Sequence, residues 1–414
     1  MTAMSSKRRT VLVTDGEQRA ALAMVRSLGR AGHTVYVCSS SGQSLAGASR
    51  FVTREYRVSD PLHASEQFAR DVRECIQSSH ADTLIPISEA SVLALLPVRE
   101  TFDGVLIPFP DLDRFRQISD KAAVLAAAQQ CGIAVPAQQR VDSPDEGARL
   151  DLEALTYPIV VKPARSVAGE AMARRKFSVV HAADSAELRR VLEECDPRAY
   201  PLLLQQRVIG PGVGIFLLLW GDTSLQRQGN EYKNDLVAAF SHRRLREKPP
   251  SGGVSVYRES IPLDPTLANR SRALLDAFGW TGVAMIEYKV DARTNVPYLM
   301  EINGRFWGSL QLAIDAGVDF PDLLIRAALG EHPTPVTTYR TDVRSRWWWG
   351  DVDHIVTRLR HSDRALALPP GSPSRWRAIR DFWARDPRDH NEIAQPDDRA
   401  PFFRETRQWF RRGA

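Results

Sequence analysis

The sequence predicts a doubly wound α/β domain, then an α+β domain of mostly antiparallel strands, then a short and mainly helical C-terminal extension. Three observations support this. Near the start, β-branched runs alternate with a helical apolar pattern; from Tyr157 onward β-rich segments dominate; beyond Pro333 and Pro335 the chain becomes rich in Arg and Trp and broken by proline. With 414 residues, 43% hydrophobic and 25% charged, the chain is too long for one core and too apolar for disorder to dominate. The expected domains are 1–118, 119–332 (lobes 119–204 and 205–332) and 333–414.

Thr10 to Thr14 forms the first run, and Leu22, Val25 and Leu28 carry the helical pattern after it. Gly32 and the run Thr34 to Cys38 then complete a βαβ unit with a right-handed crossover. Thr83 to Ile87 and Val105 to Pro108 read as further buried strands, so a small parallel sheet covered by helices is expected. The turn after the first strand reads Asp15-Gly16-Glu17 and lacks the GxGxxG pattern that cradles a dinucleotide phosphate.

The second domain opens at Ser119, read as the N-cap of a helix from Asp120 to Gln130 that Gly132 stops. Strands are expected at Tyr157 to Val161, Leu202 to Gln205, Val213 to Trp220, Leu236 to His242, Val283 to Val290 and Tyr298 to Ile302. Helices are expected at Ala186 to Glu194 and Thr266 to Phe278. Gly210 to Gly214 lacks a Gly-Lys-Ser/Thr ending and precedes a strand, so it reads as a turn rather than a phosphate loop.

The net charge of +5 resides entirely in the tail. From Arg340 on there are sixteen arginines, no lysine and eleven acids, a pattern that reads as solvated, salt-bridged helices. Arg346-Trp347-Trp348-Trp349 reads as part of a core-covering helix, and no nucleic-acid partner is expected. Cys38, Cys75, Cys131 and Cys195 are far apart and read as reduced thiols. The polar stretch Met1 to Arg9 shows no signal peptide, and the greasiest run, Ile215 to Trp220, is too short to span a bilayer. The chain is therefore expected to be cytoplasmic.

Chemistry concentrates in two strands joined by a polar turn. A hairpin centred near Thr294 places Glu287 opposite Glu301, with Asn303 following on the same face. Carboxylates roughly 5 Å apart repel by about 3 kcal/mol at an effective dielectric of 20, so a dry pair needs a proton or a cation. Magnesium suits two carboxylates and an amide oxygen, with nucleotide phosphates completing its octahedron. Neutralising one acid is expected to relieve the repulsion. Lys162 ends the apolar strand from Pro158, which suits a phosphate in a sheltered cleft. Lys121 stands in the first turn of a helix, an unfavourable place for a cation unless an anion binds nearby. Arg243 and Arg244 are candidates to hold a substrate carboxylate, while His242 is expected to pack rather than act as a base.

In this order the residues resemble the ATP-grasp superfamily over Thr10 to about Gly330, closest to an uncharacterised carboxylate-amine ligase branch related to carbamoyl-phosphate synthase and biotin carboxylase. The resemblance implies a Rossmann-like pre-ATP-grasp domain before the ATP-grasp domain. It implies ATP held by Lys121, Lys162 and Lys176, with hinge residues Gln205, Gln206, Arg207 and Val208 contacting adenine. It implies two magnesium ions, or manganese, on Glu287, Glu301 and Asn303, and a catalytic set of Arg305 and Lys162. The implied reaction activates a carboxylate as an acyl phosphate for attack by an amine, with small-molecule acid and amine as partners and a homo-oligomer compatible. Rival outcomes are a phosphotransferase, a bicarbonate-activating enzyme and a non-catalytic ATP-binding regulator. The sequence departs from the family in having Gly304 where proline is frequent, Gln206 where a hinge glutamate is usual, and no acid within Gly210 to Gly214 for the ribose. The loop Ala164 to Lys176 has one glycine, Gly169, and ends Arg174-Arg175-Lys176.

Overall fold

A computed structural model describes residues 8–168, 174–221, 234–369, 371–384 and 386–412. Gly169, Pro370 and most of the polar start lie outside the described residues.

Strands β1 (Thr10–Val13), β2 (Thr34–Ser39), β3 (Val52–Arg57) and β4 (Thr83–Ile85) form a parallel sheet in the order β3-β2-β1-β4. Helices α1 (Arg19–Arg30), α2 (Ser65–Ser79), α3 (Glu89–Leu95) and α4 (Leu112–Ser119) accompany it. β1 buries Val11, Leu12 and Val13 completely, as a strand covered on both faces must. Two expectations change. Edge strand β3 was not anticipated, because its partly exposed sequence VTREYR carries no buried run. Val105 to Pro108 provides only a parallel bridge from Leu106 to Thr83.

Ser119 ends α4, and Asp120 caps α5 (Lys121–Gln130) by accepting from the amides of Ala122 and Ala123. The cap is thus one residue later than expected. A small lobe follows: β5 (Gln138–Val141), α6 (Pro144–Arg149), β6 (Ile159–Pro163), β7 (Val167–Ala168), β8 (Arg175–Lys176), β9 (Val180–Ala182), α7 (Ser185–Glu193) and β10 (Leu202–Gln206). Its sheet runs β5-β10-β6-β9 around its own apolar cluster, while β7 and β8 pair separately.

The large sheet follows the order β15-β14-β11-β12-β13-β16-β17. Its strands are β11 (Gly212–Trp220), β12 (Asp235–Lys248), β13 (Val254–Ser260), β14 (Gly282–Val290), β15 (Pro297–Asn303), β16 (Arg344–Arg346) and β17 (Asp389–Asn391). Helix α8 (Pro265–Ala277), capped by Asp264 with proline at its first position, precedes β14. Helices α9 (Leu310–Ala316) and α10 (Phe320–Ala328) follow β15 and pack on α1. One core therefore runs from the parallel sheet into the large sheet, and the small lobe stands apart from it.

The C-terminal region departs from the expectation of short solvated helices. It contains α11 (Trp348–Arg360), α12 (Arg375–Trp383) and α13 (Ala400–Arg412), but β16 and β17 also extend the large sheet. Its charges are partly buried. Arg26 of α1, with no exposed surface, donates to Asp398 Oδ2 at 2.8 Å and to three backbone carbonyls. Glu392 pairs with both Arg19 and Arg258 at 2.6 Å. The three tryptophans point in different directions. Trp347 receives the Arg19 guanidinium, Trp348 meets Phe382, and Trp349 stacks on Trp409 at 4.3 Å. Among the described residues, no helix is long and apolar enough to cross a membrane.

Candidate active site

β14 and β15 pair with Glu287 directly opposite Glu301. A bulge then shifts the register, so that Tyr288 pairs with Leu299 and Met300 is left over. Met300 Sδ lies 3.8 Å from Lys162 Nζ, which brings the end of β6 over the hairpin. Across the same gap, the amide of Lys121 donates to the carbonyl of Ala164 just after β6, and Lys121 Nζ reaches Ser166 Oγ at 2.8 Å and Glu301 Oε2 at 3.6 Å. Asn303 Nδ2 donates to Glu301 Oε1 at 3.1 Å, and Arg305 donates to Asn303 Oδ1 at 3.4 Å and to the carbonyl of Phe306 at 3.0 Å. Lys121, Glu301, Asn303 and Arg305 line one cleft. Gly304 lies between the last two, and a Cβ there would fall 2.3 Å from Ile118 Cδ1 and 2.5 Å from Trp280 Cη2. Close packing against these side chains, rather than loop mobility, is what a residue lacking Cβ provides at this position.

The two facing carboxylates are shifted in opposite directions. Burial pushes the Glu287 carboxyl up and Glu301 adds to this, against the opposing pull of Arg244. Burial also acts on Glu301, but Lys121 and Lys162, with Asn303 and Arg305, outweigh it and hold that carboxyl below its ordinary value. Burial pulls the Lys162 ammonium down to about 8, the opposing charge of Glu301 notwithstanding. Hard oxygens from Glu287, Glu301 and Asn303 beside two ammoniums fit a divalent cation carrying phosphates. Among the described residues, no cluster of three or more His, Cys, Asp or Glu side chains gathers, so such an ion would depend on phosphate and water for its remaining ligands.

Arg243 and Arg244, the candidate substrate anchors, both pair with acids of the chain. Arg243 pairs with Glu259. Arg244 is nearly buried and bridges Glu287 Oε2 at 2.5 Å and Glu247 Oε1 at 3.0 Å, with Lys289 on the other oxygen of Glu247 at 3.1 Å. In the ligand-free protein its guanidinium is therefore the counter-charge of a candidate metal ligand. Its passage explains Gly212, because a Cβ there would stand 2.8 Å from Arg244 Cδ. Gly212 and Gly214 belong to β11, and only Gly210 and Pro211 remain in the expected turn. His242 is fully buried edge-to-face on Phe216 at 4.7 Å, and burial, then Arg244 and Arg258, keep it well below its usual range.

The hinge joins β10 to β11. Gln205 bonds Gln138 at 2.7 Å, the Gln206 amide donates to Ala137, and the Arg207 amide donates to Pro158. The Arg207 side chain ties the hinge to the carbonyls of Ala367 and Ser251. The Val208 amide has no hydrogen-bond partner among the described residues, leaving a backbone donor available. Lys176 is exposed on β8, opposite Val167.

Sequence reasoning missed Glu89, which lines the cleft from the N-terminal domain. Its signal was position: Ser88-Glu89 follows β4, and ligands of open parallel sheets gather outside the carboxyl ends of the strands.

This is the ATP-grasp fold. Within it, residues 228–349 match the family model described as ATP-grasp in the biosynthetic pathway with Ter operon. The chain is 26% identical over 171 residues to the vancomycin B-type resistance protein VanB of Enterococcus faecalis, a match covering 39% of this chain and 44% of that protein. It thus spans less than half the length of that curated relative. Solved structures share the fold, two of them as follows. The L-amino acid ligase of Bacillus licheniformis superposes with a TM-score of 0.58 at 19% identity, covering 79% of this chain and 76% of the other. The biotin carboxylase of Campylobacter jejuni, in complex with β-γ-ATP, gives 0.61 at 15% identity over 81% and 74%.

Proposed function

We propose that this protein is an ATP- and magnesium-dependent ligase that activates a substrate carboxylate as an acyl phosphate and joins it to an amine, releasing ADP and phosphate. The observation that carries this reading is the facing pair Glu287 and Glu301, gathered with Asn303, Lys121, Lys162 and Arg305 between the small lobe and the hairpin. Magnesium, when bound, supplies neutralisation of phosphate charge, and Glu287, Glu301 and Asn303 would hold it.

Lys162 from the small lobe and Lys121 from the start of α5 orient the phosphates. The free Val208 amide offers adenine a hinge donor. Arg305 makes no ion pair among the described residues, so its guanidinium is available for charge that spreads during phosphoryl transfer. A carboxylate oxygen attacks the γ-phosphorus, the bond to the bridging oxygen breaks, and ADP leaves. The amine then attacks the acyl carbon and phosphate departs with the electron pair of the C–O bond.

A screen of acid and amine pairs for ADP release, read out by product mass, tests the reading. A product equal in mass to the condensed pair supports it. A phosphorylated product, or ADP formed with bicarbonate and no organic acid, replaces it with one of the rival reactions.

A further inference from the structure

All four exposed aromatic side chains among the described residues lie on two helices of the C-terminal region. They are Trp376 and Trp383 on α12 and Phe403 and Phe410 on α13, each between 62% and 81% exposed. The same spacing recurs in both helices. Arg380 stands four residues after the first ring of α12 and three before the second, and Arg407 does the same in α13. Steps of four and three keep such a trio on one helical face. The opposite faces are already used. α12 buries Ala378 and Phe382, while α13 is held where Trp347 Nε1 donates to Glu405 at 2.6 Å and Trp349 Nε1 to Thr406 at 2.8 Å. The outward faces approach each other at one end, because Trp383 meets Trp348 and Phe410 meets Trp349, consecutive residues of α11.

Charge decides what such a surface fits. α12 and α13 hold seven arginines and two acids. Glu405 is turned inward to Trp347, and Asp381 lies to one side of the outward face, against Arg377 and Arg380. A second copy meeting this surface face to face would set arginine against arginine. Proteins that hold single-stranded nucleic acid stack successive bases on rings along a basic groove. Here the two rings of each helix stand about 10 Å apart along its axis, on an exposed face. We propose that α12 and α13 dock the protein on an anionic lipid bilayer surface. Trp376, Trp383, Phe403 and Phe410 enter the headgroup layer, and Arg380 and Arg407 pair with lipid phosphates.

Vesicle sedimentation with the full-length protein tests this. Vesicles of phosphatidylcholine and phosphatidylglycerol in equal parts should bind it at least about tenfold more tightly than phosphatidylcholine alone, and binding should weaken as salt rises. Arg380→Gln combined with Arg407→Gln should lower the affinity about 25-fold, about fivefold for each cation withdrawn. Trp376→Ser combined with Phe403→Ser should cost at least about tenfold. Trp376 makes no ring contact among the described residues and Phe403 meets only Phe402, so the thermal unfolding midpoint and the ATP dissociation constant should stay at their wild-type values. Quenching of tryptophan fluorescence by lipids brominated near the top of their acyl chains reads insertion in the wild type directly, and Trp376→Phe should remove part of it. Failure to bind the anionic vesicles, or binding without quenching, overturns the proposal. So does binding that survives the loss of Trp376 and Phe403 undiminished. Tight binding to a single-stranded oligonucleotide in place of the vesicles assigns the surface to nucleic acid instead. Self-association without vesicle binding, abolished by the ring substitutions, assigns it to a second copy.

Discussion

Lys162 connects the burial of the cleft to a measurable pH dependence. Its ammonium is pulled down to about 8 by burial in the ligand-free protein. Triphosphate oxygens placed against it favour the charged form, so nucleotide binding raises the pKa and takes up a proton. The sign follows from this. Affinity is full while Lys162 is protonated before ATP arrives, and it declines as pH rises through about 8. Each pH unit above that value weakens binding up to about tenfold, or about 1.4 kcal/mol, until the raised pKa of the complex is reached. Between about pH 7 and about pH 9 the ATP dissociation constant should therefore rise by about one order of magnitude at saturating magnesium. Titration calorimetry in buffers of different ionisation enthalpy would report both the affinity and the proton uptake. Lys162→Ala should bind far more weakly and lose the slope, whereas Lys162→Arg, which does not titrate in this range, should show a flat profile. A flat wild-type profile, or the same slope in Lys162→Ala, would refute the placement of phosphate against this lysine.

Other substitutions probe the remaining parts. Arg305→Lys should leave ATP affinity near normal and lower turnover by about a hundredfold, the scale of losing one preorganised donor; lost affinity with normal turnover would move Arg305 into nucleotide binding. Glu301→Gln should raise the magnesium concentration needed for half-maximal turnover. It should also destabilise the ligand-free protein in urea titrations, because Lys121 and Lys162 lose their counter-charge; a gain in stability would show that repulsion from Glu287 dominates. Asp398→Ala leaves Arg26 buried and uncompensated, and should cost about 3 to 5 kcal/mol in urea unfolding, toward the low end because Arg26 keeps three carbonyl partners. A loss under about 1 kcal/mol would mean that the C-terminal region is not locked to α1.

Local patterns made much of this legible in the sequence. The alternation around Thr294 gave the register that sets Glu287 against Glu301, because side chains alternate along a strand regardless of the rest of the fold. The buried runs of β1, β2, β11 and β14 were visible for the same reason. What escaped depends on partners distant in sequence. Glu89 enters the cleft only because the N-terminal domain docks on the later chain, α1 against α9 and α10 and α4 against β15. The pairing of Arg244 with Glu287 was not visible either, because it depends on Gly212 leaving the guanidinium's path open. The tail looked solvated because its acids and arginines alternate, and nothing local shows that Glu392 and Asp398 meet arginines of α1 more than 360 positions earlier.

The acyl phosphate is the central claim, and oxygen transfer tests it most directly. The acid selected by the product screen would be labelled with heavy oxygen in its carboxylate and turned over with ATP, magnesium and its amine, and the released phosphate analysed by mass spectrometry. Attack of that carboxylate on the γ-phosphorus, followed by displacement at carbon, predicts one labelled oxygen in each phosphate released. Phosphate free of label, with the label retained in the product or carried into AMP, would contradict the account.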